Sequence, residues 1–204
     1  MTVLVLYAGN SNDDATRRKV TDFFSITDPE CMAGAYSTSY YEYGWAGRFK
    51  LVTIPQGAVI DSAILTVQGR NTGNNDTCKT EISGYAADDT PVFGTEANFD
   101  DMRNNHRTTA VIPWDSIPHF VVGTYYPSPE LKTIIQEIIS RAGWASGHSL
   151  ILFWDDFANR SSSTALREAK GNDMATTSPY LTITYHVPVV PTVTTAAADG
   201  IAKD

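Results

Sequence analysis

Between Ser128 and Trp154 the chain reads SPELKTIIQEIISRAGWASGHSLILFW, an amphipathic helical pattern running into a short, continuous apolar strand. Leu131, Ile134, Ile135, Ile138 and Ile139 recur at the spacing of one helical face, while Lys132, Thr133, Gln136 and Glu137 fall on the other. The spacing predicts a helix over about 129–141, with Ser128 as N-cap, Pro129 at the first position and Glu130 at the positive end of the dipole. Arg141 suits the negative end, and Gly143 is placed to stop the helix in the left-handed conformation. A helix with one apolar face needs one surface to lie on, and the rest of the chain offers strands.

Strand candidates recur at Val3 to Tyr7, Arg48 to Thr53, Val59 to Gln68, Lys79 to Ala86, Thr108 to Pro113, Leu150 to Phe153 and Tyr180 to His186. They are bounded by Gly, Asn and Pro, which argues for an antiparallel sandwich. The alternation in Val59 to Gln68 slips near Ser62, as a β-bulge would make it slip. Ile54-Pro-Gln-Gly57 reads as a turn with proline second. After Val187 the composition changes to PVVPTVTTAAADGIAKD, so one domain is expected over 1–187, and 188–204 reads as a linker or the start of a further module.

Five segments, in order, carry a family likeness: Asn12 to Ala15 (NDDA), Trp45 to Ala63, Thr109 to Trp114 (TAVIPW), Ser128 to Ser149, and Ser178 to Tyr185 (SPYLTITY). Together they resemble the DNRLRE-type module, a jelly-roll β-sandwich related to disaggregatase-associated repeats and to a class of carbohydrate-binding modules. The resemblance implies an all-β, antiparallel jelly-roll sandwich with one amphipathic helix. Such modules are appended to surface proteins, polysaccharide-active enzymes and phage structural proteins. The tail from Pro191 resembles the opening strand of a fibronectin type III or immunoglobulin-like module.

A length of 204 residues suits one large sandwich domain. The net charge of −8 argues against nucleic acid or an anionic membrane as partner. Its one basic run, Arg17-Arg18-Lys19, reads as solvated charges ending a loop. No apolar stretch is long enough to span a bilayer, so membrane insertion is not expected. The N-terminus lacks the pattern of a secretory signal. Either a signal has been removed or the protein leaves the cell by another route, as virion proteins do on lysis. Cys31 and Cys78 either pair or remain buried thiols.

No catalytic constellation stands out. Ser149, in Gly147-His-Ser-Leu150, follows a helix and enters a strand, the reverse of a nucleophile elbow. His106, His119, His148 and His186 are scattered. Acidic pairs at Asp13-Asp14, Asp88-Asp89, Asp100-Asp101 and Asp155-Asp156 read as solvated loops; on a strand, adjacent residues point to opposite faces and cannot make a glycosidase pair. Asn10, Asn12, Asp13 and Asp14 offer hard oxygen donors for calcium, or cap a turn. Tyr36, Tyr40, Tyr41, Tyr43 and Trp45 could stack on sugars, anchor a subunit interface, or pack inward. Loops Gly69 to Asp76 and Asp155 to Ser163 are the expected ligand-facing tips.

The expectation is therefore a non-catalytic structural, decoration or adhesion module of a virion or extracellular assembly, partnered by other virion or surface-protein subunits. The alternatives are a carbohydrate-binding module, partnered by glycans, and a polysaccharide hydrolase.

Overall fold

The computed structural model describes residues 1–9, 11–20, 22–36, 41–71, 76–115, 117–171 and 178–189. The strands are β1 (Thr2–Tyr7), β2 (Asp14–Arg18), β3 (Phe23–Ser25), β4 (Glu30–Tyr36), β5 (Tyr41–Phe49), β6 (Val59–Gln68), β7 (Thr80–Tyr85), β8 (Arg107–Trp114), β9 (Tyr125–Pro127), β10 (Leu150–Asp155), β11 (Leu166–Lys170) and β12 (Tyr180–His186). Helix α1 (Glu96–Asn105) precedes β8, and α2 (Lys132–Ile139) precedes β10. One sheet has the order β1-β12-β6-β9 and the other β11-β4-β5-β10-β7-β8, with β2 and β3 attached through β5. Every pairing between strands is antiparallel. The chain is thus the all-β sandwich expected from its strand pattern, and no helix among the described residues is long and apolar enough to cross a membrane.

The main core joins both sheets: Leu65, Leu181 and Ile183 from the smaller meet Trp45, Phe49, Ile82, Leu152 and Trp154 from the larger. Helix α2 adds Ile134, Ile135, Ile138 and Ile139 to this core, the face its periodicity predicts. A second apolar cluster sets Phe99 and Met102 of α1, with Phe93, against Ala46, Ile151 and Phe153. Alternate residues of β10 therefore enter different cores. All six are buried, which explains why LILFW reads as an uninterrupted apolar run.

The helix count departs from expectation: α1 is a second helix. Its sequence, EANFDDMRNN, buries only Phe99, Met102 and Arg103, too narrow a stripe to stand out. The readable signal was its cap, where Thr95 Oγ1 accepts from Asn98 N–H at 3.2 Å. Helix α2 starts later than its composition suggests, with Leu131 at the N-cap, and Ser128 Oγ accepts instead from Leu65 N–H. Gly143 does not adopt the left-handed conformation. It is small because Asp88 crowds it: a Cβ there would lie 2.1 Å from a carboxylate oxygen. The expected strand at 48–53 instead ends at Phe49, because Leu51 turns left-handed with φ 54°. Ala58 N–H donates to Pro55 O and Gly57 has φ 82°, so proline is first in that turn. The slip near Ser62 is present: Thr184 faces Ser62 and Tyr185 faces Ile60, leaving Asp61 as the extra residue. Cys31 and Cys78 are buried thiols rather than a disulfide, and burial pushes the Cys78 thiol up to about 11.

The polar side of α2 is not simply solvated. Where a sheet edge leaves N–H groups open, side chains around the helix take them. On β6, Ile60 N–H donates to Gln136 Oε1 at 2.8 Å, Ala63 to Glu130 Oε1 at 2.6 Å, and Leu65 to Ser128 Oγ at 3.1 Å. On β8, Thr109 and Ala110 donate to the Glu137 carboxylate at 2.7 and 2.9 Å. Helix α2 thus closes one side of the sandwich by bridging the edges of its two sheets.

Partial burial disfavours the charge of Glu130, but donation from Ala63 N–H, the Ser62 hydroxyl and Lys132 N–H outweighs it and holds the carboxyl below its ordinary range. A depressed folded value gives stability that is present above the unfolded glutamate value of about 4.3 and lost as pH falls through the folded one. Glu130→Gln should therefore lose about 0.5–1 kcal/mol near neutrality, since the carboxylate is exposed and solvent screens its interactions. In urea titrations the gap from the parent should close in acid; a gap constant with pH would refute the charge-based account.

Candidate binding face

Two of the four acidic pairs, Asp13-Asp14 and Asp155-Asp156, are buried, contrary to the solvated-loop expectation, whereas Asp89 and Asp101 are exposed as expected. Asp155 and Asp156 are 1% and 0% exposed. Arg103 grips Asp155 through both nitrogens, Nε at 3.0 Å and Nη2 at 2.8 Å, and Nη2 also reaches Glu81 at 2.7 Å. Burial works against the Arg103 charge, yet these carboxylates hold its pKa above the ordinary value. Burial pushes the Asp156 carboxyl up, although Arg160 N–H and Ser161 N–H donate to it at 2.7 and 3.0 Å. The 155–163 loop is thus folded around buried carboxylates rather than presented as a free tip. In the basic run Arg17 is buried, not solvated: it donates to both oxygens of Asp100 and lies 2.7 Å from Glu96, fastening α1 to β2.

The oxygen-rich turn is also committed. Asp13 lies 2.7 Å from Arg48 through Oδ1 and 2.6 Å from Lys50 through Oδ2, so two fixed cations already neutralise it. Asp14 is buried and accepts from Trp45 Nε1 at 3.5 Å. Asn12 supplies its carbonyl oxygen to Phe93 N–H, and Asn10 lies outside the described residues. Calcium would have to displace Arg48 and Lys50 from Asp13, so this turn does not fit the ion as it stands. Among the described residues no three His, Cys, Asp or Glu side chains converge as metal ligands.

The structure divides the tyrosine-rich stretch. Trp45 is fully buried in the main core, and Tyr43 is buried with Met32 and Leu166. Tyr41 is half-buried beside them, Tyr36 is 54% exposed, and Tyr40 lies outside the described residues. The Arg18 guanidinium carbon lies 5.2 Å from the Phe23 ring centre, 5.4 Å from Tyr41 and 5.9 Å from Tyr43. These tyrosines therefore pack around an arginine as well as against apolar neighbours. Trp114, Trp144 and Trp154 are buried, as their position beside core elements suggests.

A different aromatic row occupies the outward face of the smaller sheet. Leu181, Ile183 and Tyr185 of β12 point inward, which turns Tyr180, Thr182 and Thr184 outward. Registers place Tyr7 opposite Tyr180, and Tyr180 opposite Thr66. The Tyr7 and Tyr180 rings lie 5.7 Å apart at 45°, and the Tyr180 and Tyr125 rings 6.1 Å apart at 63°. Tyr7 is 63% exposed and Tyr125 49%. Three tyrosines from β1, β12 and β9 thus form one solvent-facing row.

The sequence matches no protein-family model and no curated protein. The row was invisible in the sequence because its members stand far apart along the chain and meet only through strand pairing. Alternation supplied a partial signal: in TVLVLY, leucines interleave with Val3, Val5 and Tyr7, so an inward leucine face requires an outward valine and tyrosine face.

Proposed function

We propose that this chain is a non-catalytic structural, decoration or adhesion module of a virion or other extracellular assembly, as its resemblance to DNRLRE-type modules implies. The observation that carries this reading is the commitment of the buried aspartates Asp13, Asp155 and Asp156. Asp13 and Asp155 are held by arginines, and Asp156 is held by backbone N–H groups. Such groups hold the sandwich together and are not free to exchange protons with a substrate. Its display surface is an uncharged aromatic row on a sheet face. Contact with neighbouring virion or surface-protein subunits is the role that suits such a scaffold. The turn at Asp13 is already neutralised by Arg48 and Lys50, so this reading requires no calcium.

Quantitative mass spectrometry of purified particles and extracellular fractions from the native source tests the proposal. A fixed, multiple copy number relative to a capsid or surface-layer protein is the expected result. Absence from both fractions would overturn it. A carbohydrate-binding role is favoured by one observation, the exposed Tyr7–Tyr180–Tyr125 row.

A further inference from the structure

We infer that the outward face of the smaller sheet binds an uncharged polysaccharide strand, with Tyr7, Tyr180 and Tyr125 as its stacking surface. The inference rests on the adhesion reading above and names the ligand class and the site. Its first support is charge. In a chain with net charge −8, the outward strand positions around the row are uncharged, among them Val3, Val5, Gln68, Thr182 and Thr184. The nearby ionisable groups, Glu130 and the Asp61–His186 pair, lie toward the opposite end of β6 and β12 and are engaged with Ser62 and with each other. Among the described strand positions that carry the row, a polyanion or a basic peptide would find no counter-charge. A neutral sugar chain needs none.

The second support is the mixture of groups. A pyranose presents an apolar C–H face and a rim of hydroxyls. A tyrosine presents an apolar ring and a phenolic hydroxyl, so it can meet both. Thr66, across from Tyr180 in the register, is buried, but Thr182 and Thr184 of β12 face outward and are partly exposed. These hydroxyls can pair with sugar hydroxyls. Flat packing against a second copy of the same face would desolvate them against valine and tyrosine, at the cost attached to unpaired polar groups. The aromatics also span the four-stranded sheet from β1 to β9, with β6 lying between Tyr180 and Tyr125, so they form a line suited to an extended chain rather than a pit suited to a single small molecule.

The test is affinity electrophoresis of the full chain through gels containing neutral polysaccharides (β-1,3-glucan, soluble β-1,4-glucan, mannan, xylan and dextran), with alginate and polygalacturonate alongside. At least one neutral polymer should retard the protein. Tyr180→Ala, the central ring, should weaken retardation about tenfold, with a smaller loss for Tyr7→Ala and none for Tyr36→Ala. Circular dichroism melts verify that each variant is folded; if Tyr180→Ala is not, Tyr180→Thr and Tyr125→Ala replace it. Retardation only by the acidic polymers, by none, or equally in folded row variants overturns the inference. Sedimentation showing a dimer abolished by Tyr7→Ala assigns the face to a second copy and also overturns it. Particle stoichiometry is read independently, so a virion component that ignores every glycan refutes this inference while leaving the structural role intact.

Discussion

Replacing Arg103 with methionine is expected to lower stability by about 3–5 kcal/mol, because it strands a buried carboxylate without its cation. Asp155 is 1% exposed and receives two hydrogen bonds from Arg103; among the described residues Phe157 N–H, at 3.0 Å, would remain as its donor. Glu81 fares better, since Arg107 also reaches it at 2.7 Å. The loss should propagate to α1, because Arg103 sits beside Phe99 and Met102, which cover the outer side of β10. The checking measurement is urea denaturation followed by tryptophan fluorescence, in which the midpoint falls and the slope is retained. The double variant Arg103→Met, Asp155→Leu should recover much of the loss, because removing both charges also removes the desolvation cost. A single-variant loss below about 1 kcal/mol would show that Asp155 is not held as a buried ion.

Trp45→Ala should cost a similar amount, about 3–5 kcal/mol, by opening a large cavity between the sheets. The ring is fully buried, and it packs so closely over Gly47 that a Cβ there would lie 2.2 Å from it. For a domain of this size the loss corresponds to a fall in Tm of roughly 6–20 °C. Tyr36→Ala, in the same stretch of sequence but 54% exposed, should change stability by about 0.5 kcal/mol or less. Calorimetry of the two variants separates the possibilities left open for the tyrosine-rich stretch: a core role makes Trp45→Ala unstable, whereas a surface platform would leave its Tm near that of the parent.

The helix and the strands around it were legible because their signals are local. Ile134, Ile135, Ile138 and Ile139 announce one buried face, and LILFW announces a strand buried on both sides. The bulge at Asp61 was legible as a slip in alternation. Helix α1 was not, because its two apolar residues and one buried arginine do not make a readable stripe without the sheet beneath them. The pairs Asp13-Asp14 and Asp155-Asp156 misled for the same reason. An aspartate in a polar run looks solvated, and only the arrival of Arg103 from 52 positions away permits Asp155 to be buried.

The candidate site divides along that line. By itself the sequence determined the strand content, the apolar face of α2 and the low positive charge, because each depends on neighbours within a turn or a strand, or on composition alone. Tertiary structure decided which tyrosines face solvent. Tyr43 and Trp45 are drawn inward by the packing of β5, whereas Tyr7, Tyr180 and Tyr125 are brought together from three strands. The physical reason is that antiparallel pairing joins residues by register rather than by sequence separation, so a surface assembled across β1, β12 and β9 has no local signature to read.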